Sequence, residues 1–434
     1  MVRVLGAATL AALASLATLQ AAQGDLPTFL FTAAPRYEAA AWAHGGERFP
    51  AGAHLVLVTQ QGQRDIVPGF YASADAAVSY DGRHILFTGR PTKQDRWQIW
   101  QADVNGGAPH QVVTTPSDCI RPFYMPDGRV VYTRVAAAGS EIAISTESGK
   151  TNVLTHVPGW YLTDDVLRDG RILFEWRGDL FTVYPDGTGL ESLRCDHGPR
   201  RSGARQVSSG DVVFSVEGGL ARFTSALAVQ EKMPPADWEI AGPVAEVAPD
   251  RWLLAARPHS GGAYAIHQSG PGWRGPESVE SPRGGSAVEP VVAAARVPPR
   301  EFPSGLVPTR TTGNLLCLNA SEAKDPIPGK IHAVRVYTRG EAGAPQLLGQ
   351  TAVAPDGSFY VEVPADRPIR MELVDAAGAR LRAEEQWFWM RPSEQRICVG
   401  CHAGPERAPE NKVPEILNQR LTPVKMLGDY GHPQ

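Results

Sequence analysis

A turn followed at once by a β-rich run recurs through the first two-thirds of the chain, with a period of about 40 to 46 residues. The clearest copies are Asp81-Gly82-Arg83-His84-Ile85-Leu86-Phe87, Asp127-Gly128-Arg129-Val130-Val131-Tyr132 and Asp169-Gly170-Arg171-Ile172-Leu173-Phe174. Weaker copies are Ser209-Gly210-Asp211-Val212-Val213-Phe214 and Pro249-Asp250-Arg251-Trp252-Leu253-Leu254. Asp-Gly permits the positive φ of a tight hairpin, and the apolar run after it supplies a buried strand. Second turns follow at Asn105-Gly106-Gly107, Ser148-Gly149 and Asp186-Gly187. Four short strands in a unit of this length describe a propeller blade, which cannot bury both of its faces alone. Five copies are visible, and a degenerate one spans Glu38 to Gln61, with His54 to Val58 as its strand. The expected count is six blades, with seven as the alternative. Trp97-Gln98-Ile99-Trp100 reads as a packed strand.

The remainder of the chain changes pattern. Arg283-Gly284-Gly285-Ser286 and Pro298-Pro299-Arg300 mark a linker. Strand-like runs follow at Gly313 to Asn319, Lys330 to Thr338, Gln346 to Val353, Ser358 to Val363 and Ile369 to Val374. Their spacing suggests a small β-sandwich. From Arg391 the sequence is irregular and Pro-rich, with a helical turn or two around Pro414 to Arg420. The fold expected is all-β: an N-terminal six-bladed β-propeller, a small β-sandwich-like domain and an irregular C-terminal segment. The divisions are 1–24 signal peptide, 25–280 propeller, 281–312 linker, 313–390 sandwich and 391–434 C-terminal segment.

Residues 1–24 read as an export signal. Arg3 precedes an uncharged, Ala-rich stretch from Val4 to Leu19, and small residues at Ala21-Ala22-Gln23-Gly24 suit cleavage after Ala22 or Gly24. The expected location is periplasmic or secreted, with no membrane span after cleavage. A formal charge of -4 argues against a nucleic-acid partner. Five cysteines, at 119, 195, 317, 398 and 401, are too few for a disulfide scaffold of this size, and the odd count asks for another use. Cys119 and Cys195 could pair, but nothing demands it.

Cys398-Val399-Gly400-Cys401-His402 is C-x-x-C-H, the attachment signature of c-type haem. Two thiols at this spacing can each add to a vinyl group on one porphyrin edge, and the histidine can then ligate iron. A zinc pair or a redox disulfide are the other readings, and export favours haem. Only 32 residues follow His402, so propeller or sandwich must help cover the ring. Trp387-Phe388-Trp389-Met390 could wall the porphyrin or pack the sandwich core. Met426, His432 and Glu406 are candidates for the second axial position.

The stretch Glu394 to Pro414, together with Thr311 to Asn319, Asp356-Gly357-Ser358-Phe359 and Val361 to Asp366, resembles the hydrazine synthase alpha subunit family. The propeller units resemble those of TolB-like proteins. The first resemblance implies that the haem is the catalytic one. It also implies that Cys317 and His402 hold zinc, and that iron takes a ligand four residues past the motif. That family has Tyr there, and this chain has Glu406. Without the resemblance, Cys317 reads as a small buried hydrophobe. In that family a further haem domain follows this point, so membership of the wider family is expected rather than hydrazine synthesis itself.

Two functions follow. One is redox chemistry on a small nitrogen or oxygen species at a single haem, which makes the chain a haem-dependent oxidoreductase or synthase. The alternative is a monohaem electron-transfer cytochrome that uses the propeller as a docking platform. The partner is a small-molecule substrate or a redox protein, with a multi-subunit complex left open. Asp164-Asp165 and Asp196-His197 are loop candidates for acid-base work, with blade capping as their other reading.

Overall fold

A computed structural model describes residues 26–145, 149–194, 198–225, 228–233, 237–269, 277–280, 284–340, 343–400 and 410–431. The signal expected at 1–24, Cys195, Asp196 and His197 lie outside the described residues. So do Cys401, His402, Glu406 and His432.

Six four-stranded antiparallel sheets form the blades of a propeller. Blade two runs Ala72–Val78, His84–Arg90, Gln98–Asp103 and His110–Val113 from inner to outer strand. The Asp-Gly turns join the first two strands of their blades. In three of them the aspartate accepts a hydrogen bond from the backbone N–H two residues on, at 3.0 Å each: Asp81 from Arg83, Asp127 from Arg129 and Asp169 from Arg171. At Gly170 φ is +87°, and a Cβ would lie 2.4 Å from the Arg300 carbonyl oxygen, so only glycine fits. The strands that follow are buried on both faces, as in Ile172–Trp176, which explains their unbroken apolar runs.

Blade one closes the ring. Its inner strand is Ser286–Val292, paired antiparallel with Phe29–Ala34. That strand falls in the stretch expected to be linker. Ala287 and Val288 are fully buried against blade one, which otherwise has three strands.

Each inner strand carries a register shift at the same place, where a residue bulges toward the axis. In five blades that residue has positive φ: Asp75, Arg121, Gly203, Gly242 and Glu289. The charged ones form one buried network. Arg48 bonds Asp75 at 2.8 Å and also meets Glu289. Arg121 bonds Glu289 and Asp164, each at 3.0 Å. Burial pushes the Glu289 carboxyl up, but Arg48 and Arg121 outweigh it and hold it down at about 2. Among the described residues no cation bonds Glu175, which lies beside this network. One of its oxygens accepts from Gly203 N–H at 2.8 Å, and the other meets no partner among the described residues. Burial, helped by the charge of Asp164, pushes its pKa up to about 8.

The sandwich has two four-stranded sheets. One runs in the order Gln395–Cys398, Thr312–Cys317, Phe359–Pro364, Val424–Lys425, and the other Pro345–Ala352, Ala333–Arg339, Ile369–Val374, Arg380–Ala383. All five runs expected as strands are present. The largely irregular C-terminal stretch adds two edge strands in parallel pairing and a short helix, Glu415–Gln419.

A raised carboxyl makes the native state hold a proton that the unfolded chain has released. Stability therefore falls as pH rises from the unfolded value of 4.5 to about 8, then levels. Glu175→Gln removes this dependence. Calorimetry should show a smaller drop in Tm between pH 5 and pH 8.5 than in wild type, by several degrees, since a shift of this size is worth at most about 4 kcal/mol over that range. Equal drops would contradict the assignment.

Candidate functional site

The start of the C-x-x-C-H motif is fixed by strand pairing. Gln395–Cys398 runs parallel to Thr312–Cys317, with Cys398 in register with Cys317. The pairing continues as Leu318 N–H donates to Cys398 O at 2.9 Å and Asn319 N–H to Val399 O at 3.2 Å. Cys317 is buried at 2 % exposure, and Cys398 is half-buried. Burial pushes the Cys398 thiol pKa up, against the opposing charge of Arg396. Gly400 sits where a Cβ would come within 2.2 Å of the Glu322 carbonyl oxygen and 2.9 Å of Asn319 O. Residues 398–400 of the motif thus rest directly on the loop after Cys317.

Both cysteines line a cavity of about 660 Å³ between the sandwich and blade four. Its apolar walls include Phe359, Met371 and Phe388 from the sandwich, with Tyr184 and Leu190 from the propeller. Phe302 of the linker stacks on Tyr184 with ring centroids 4.1 Å apart. Arg396 lies on the wall with its guanidinium 5.6 Å from the Phe388 ring centroid, bonded to Glu394 at 2.8 Å. Glu394 is 7 % exposed and also accepts from Gly189 N–H of blade four at 3.2 Å and from Arg391 N–H at 2.7 Å. It ties the motif strand to the propeller. Nothing in the sequence pattern marked it.

The aromatic run upstream divides its work. Phe388 faces the cavity and Met390 the sandwich core. Trp389 enters the propeller core, 6.2 Å from Trp176 by ring centroid, with its indole N–H donating to Gly187 O at 3.1 Å. Arg391 bonds Asp366 at 2.7 Å and Asp186 O at 2.9 Å, and contacts His156. Burial, with the Arg391 charge, pushes His156 down to about 3.

The other candidates are dispersed. Met426 is packed in the sandwich core. Asp164 is fully buried in the axial network, and Asp165 accepts from the backbone N–H groups of Val166 and Gln206, each at 2.9 Å. Cys119 is a buried thiol 3.1 Å from Thr115 Oγ1. The motif residues that would complete a metal site, Cys401, His402 and Glu406, lie outside the described residues. Among the described residues no three His, Cys, Asp or Glu side chains gather to hold a metal, and no helix is long and apolar enough to cross a membrane.

A six-bladed propeller docked on a β-sandwich, with Cys398 and Gly400 on the wall of the cavity between them, defines a two-module all-β protein with its candidate site at the interface. Residues 329–403 match the hydrazine synthase alpha subunit middle domain family, and in this stretch the chain is similar to hydrazine synthase alpha subunits. Over 61 residues it is 34% identical to hydrazine synthase subunit alpha of Kuenenia stuttgartiensis, a match covering 14% of this chain and 8% of that protein. The solved Kuenenia stuttgartiensis hydrazine synthase superposes with a TM-score of 0.79 at 17% identity, over 91% of this chain and 72% of that one. The fold is therefore shared across both modules. TolB from Acinetobacter baumannii overlaps 62% of this chain and 67% of its own, at 15% identity and a TM-score of 0.49.

Gly400→Ala should force the motif strand off the Asn319 to Glu322 loop. The expected cost is about 1–3 kcal/mol, typical of overpacking. Chemical denaturation would measure it, and limited proteolysis should show faster cleavage after residue 395. An unchanged midpoint and cleavage pattern would rule out the close packing.

Proposed function

We propose that the chain is an exported c-type haem protein that performs redox chemistry on a small nitrogen or oxygen species at one haem. The observation that supports this reading is a juxtaposition. Cys398, the first residue of C-x-x-C-H, stands in register with Cys317 on the wall of a cavity of about 660 Å³. That volume falls in the range of small-molecule and cofactor sites.

The residues present fit a porphyrin. Phe359, Met371 and Phe388 offer apolar wall, and Arg396 offers a cation at its edge for a propionate. Cys398 and Cys401 would hold the group through thioethers. His402 or Glu406 would ligate iron, and Cys317 with His402 would hold zinc, as the family resemblance implies. When bound, haem supplies a redox-active iron with a position for a small ligand. The chain's own contribution is to seat the group between two rigid modules and to keep bulk water from it with aromatic walls. The Kuenenia relative is named as a subunit, and we place this chain likewise in a multi-subunit assembly.

Mass spectrometry of protein exported from a host competent in cytochrome c maturation should find one added haem. Cys398 and Cys401 should resist alkylation, and the N-terminus should begin after Ala22 or Gly24. Colourless protein with both sulfurs alkylatable would overturn the reading. The reduced protein should bind carbon monoxide with a large Soret shift. A six-coordinate spectrum indifferent to carbon monoxide would favour electron transfer instead.

Zinc analysis tests the second metal separately. Wild type should carry about one zinc, and Cys317→Ser should lower that severalfold, because thiolate is the stronger zinc donor. Unchanged stoichiometry would remove zinc from the site.

A further inference from the structure

A second chamber lies in the propeller, apart from the motif cavity. It holds about 400 Å³ at one mouth of the axial channel. Inner strands of the blades wall it, and the linker covers it with Arg296, Val297 and Pro299. That cover is held in place. Arg296 N–H donates to Tyr80 O at 2.9 Å, and Arg300 N–H to Arg168 O at 3.0 Å.

Three guanidiniums line the chamber, and their hydrogen bonds go to backbone carbonyls. Arg205 donates to Ala204 O at 3.0 Å and lies 4.9 Å from the Phe123 ring centroid. Arg168 donates to Val207 O at 3.1 Å and also meets Ser208 O. Arg296 donates to Val78 O at 3.3 Å and lies 4.3 Å from the Tyr80 ring centroid. The two carboxylates on the wall are engaged elsewhere. Asp165 accepts from backbone N–H groups, and Glu246 from Ser208 N–H and its hydroxyl, the latter at 2.6 Å. Among the described residues no ion pair joins any of the three guanidiniums to a carboxylate. Elsewhere on the axis Arg48 and Arg121 are each paired with two acids. Arg168 and Arg296 lie at the exposed rim, whereas Arg205 is half-buried, and a half-buried cation with no carboxylate bonded to it favours an anion.

We infer that this chamber binds a small organic anion, whose carboxylate or phosphate group is received by Arg205 while its apolar part lies against Phe123, Val244 and Val291. Burial and the nearby charge of Arg121 lower the Arg205 pKa to about 10, against the opposing charges of Asp165, Asp164 and Glu289, which leaves it charged at neutral pH. Guanidinium is suited to either oxyanion through bidentate bonding.

The test is calorimetric titration of the full chain with glutarate and with inorganic phosphate, each against chloride at matched ionic strength. At least one should bind saturably to wild type, and which one does distinguishes carboxylate from phosphate. Arg205→Gln should weaken that binding by roughly tenfold or more, as expected for loss of a charge-assisted hydrogen bond. If Arg205→Gln does not fold, Arg296→Gln on the linker decides, with the same loss expected. The inference is overturned if neither probe saturates, or if the deciding variant, with a wild-type circular dichroism spectrum, binds as wild type does.

Discussion

Charge pairing on the propeller axis is the constraint around which the rest is built. Six inner strands converge there, and their bulges turn Asp75, Arg121, Asp164 and Glu289 inward, out of reach of bulk water. An isolated charge in such a place is untenable, and removing one partner of a buried pair typically costs about 3–5 kcal/mol. Arg48, from the excursion between Phe29–Ala34 and His54–Thr59 of blade one, enters to balance the two carboxylates it meets. Left-handed backbone at Asp75, Arg121 and Glu289 is unfavourable for such residues, and the ion pairs hold it in place. The network joins blades one to four, so it couples elements far apart in sequence.

The sandwich inherits its position from that ring. Trp389 seats in the propeller core beside Trp176, and Arg391 and Glu394 fasten the chain on either side of loop 186–189. Because the motif strand begins one residue after Glu394, the anchor and the motif are one continuous piece of backbone. The linker contributes to both chambers, covering the channel mouth with Arg296 and Val297 and walling the motif cavity with Phe302.

The propeller was legible because blades two to four repeat the same local chemistry and the next two repeat it in weaker form. An aspartate that closes its own turn and a glycine that tolerates left-handed backbone recur at steady intervals, and both features are local. The closing strand Ser286–Val292 escaped notice because it carries no such turn, and its pairing partner lies some 250 residues earlier. The axial charges were equally hidden. Nothing near Glu289 in sequence tells that Arg48 and Arg121 will meet it. At the site, the C-x-x-C-H spacing picked out Cys398, but its registration with Cys317 depends on a parallel pairing across about 80 residues. Only the family resemblance linked the two. Glu394 and Arg391 gave no signal because single charged residues acquire meaning only from the loop they fasten.

Ring closure has a kinetic consequence. The first described strand, Phe29–Ala34, lies between strands from opposite ends of the propeller sequence, so half of its hydrogen bonds wait for strand Ser286–Val292 to arrive. Chains dominated by such distant pairings fold slowly. During vectorial synthesis or transport, blades two to six can assemble while the ring stays open and its two edges unsatisfied. An open edge of this kind is the point at which a chaperone, or a neighbouring chain in a crowded compartment, would compete with the chain's own last strand.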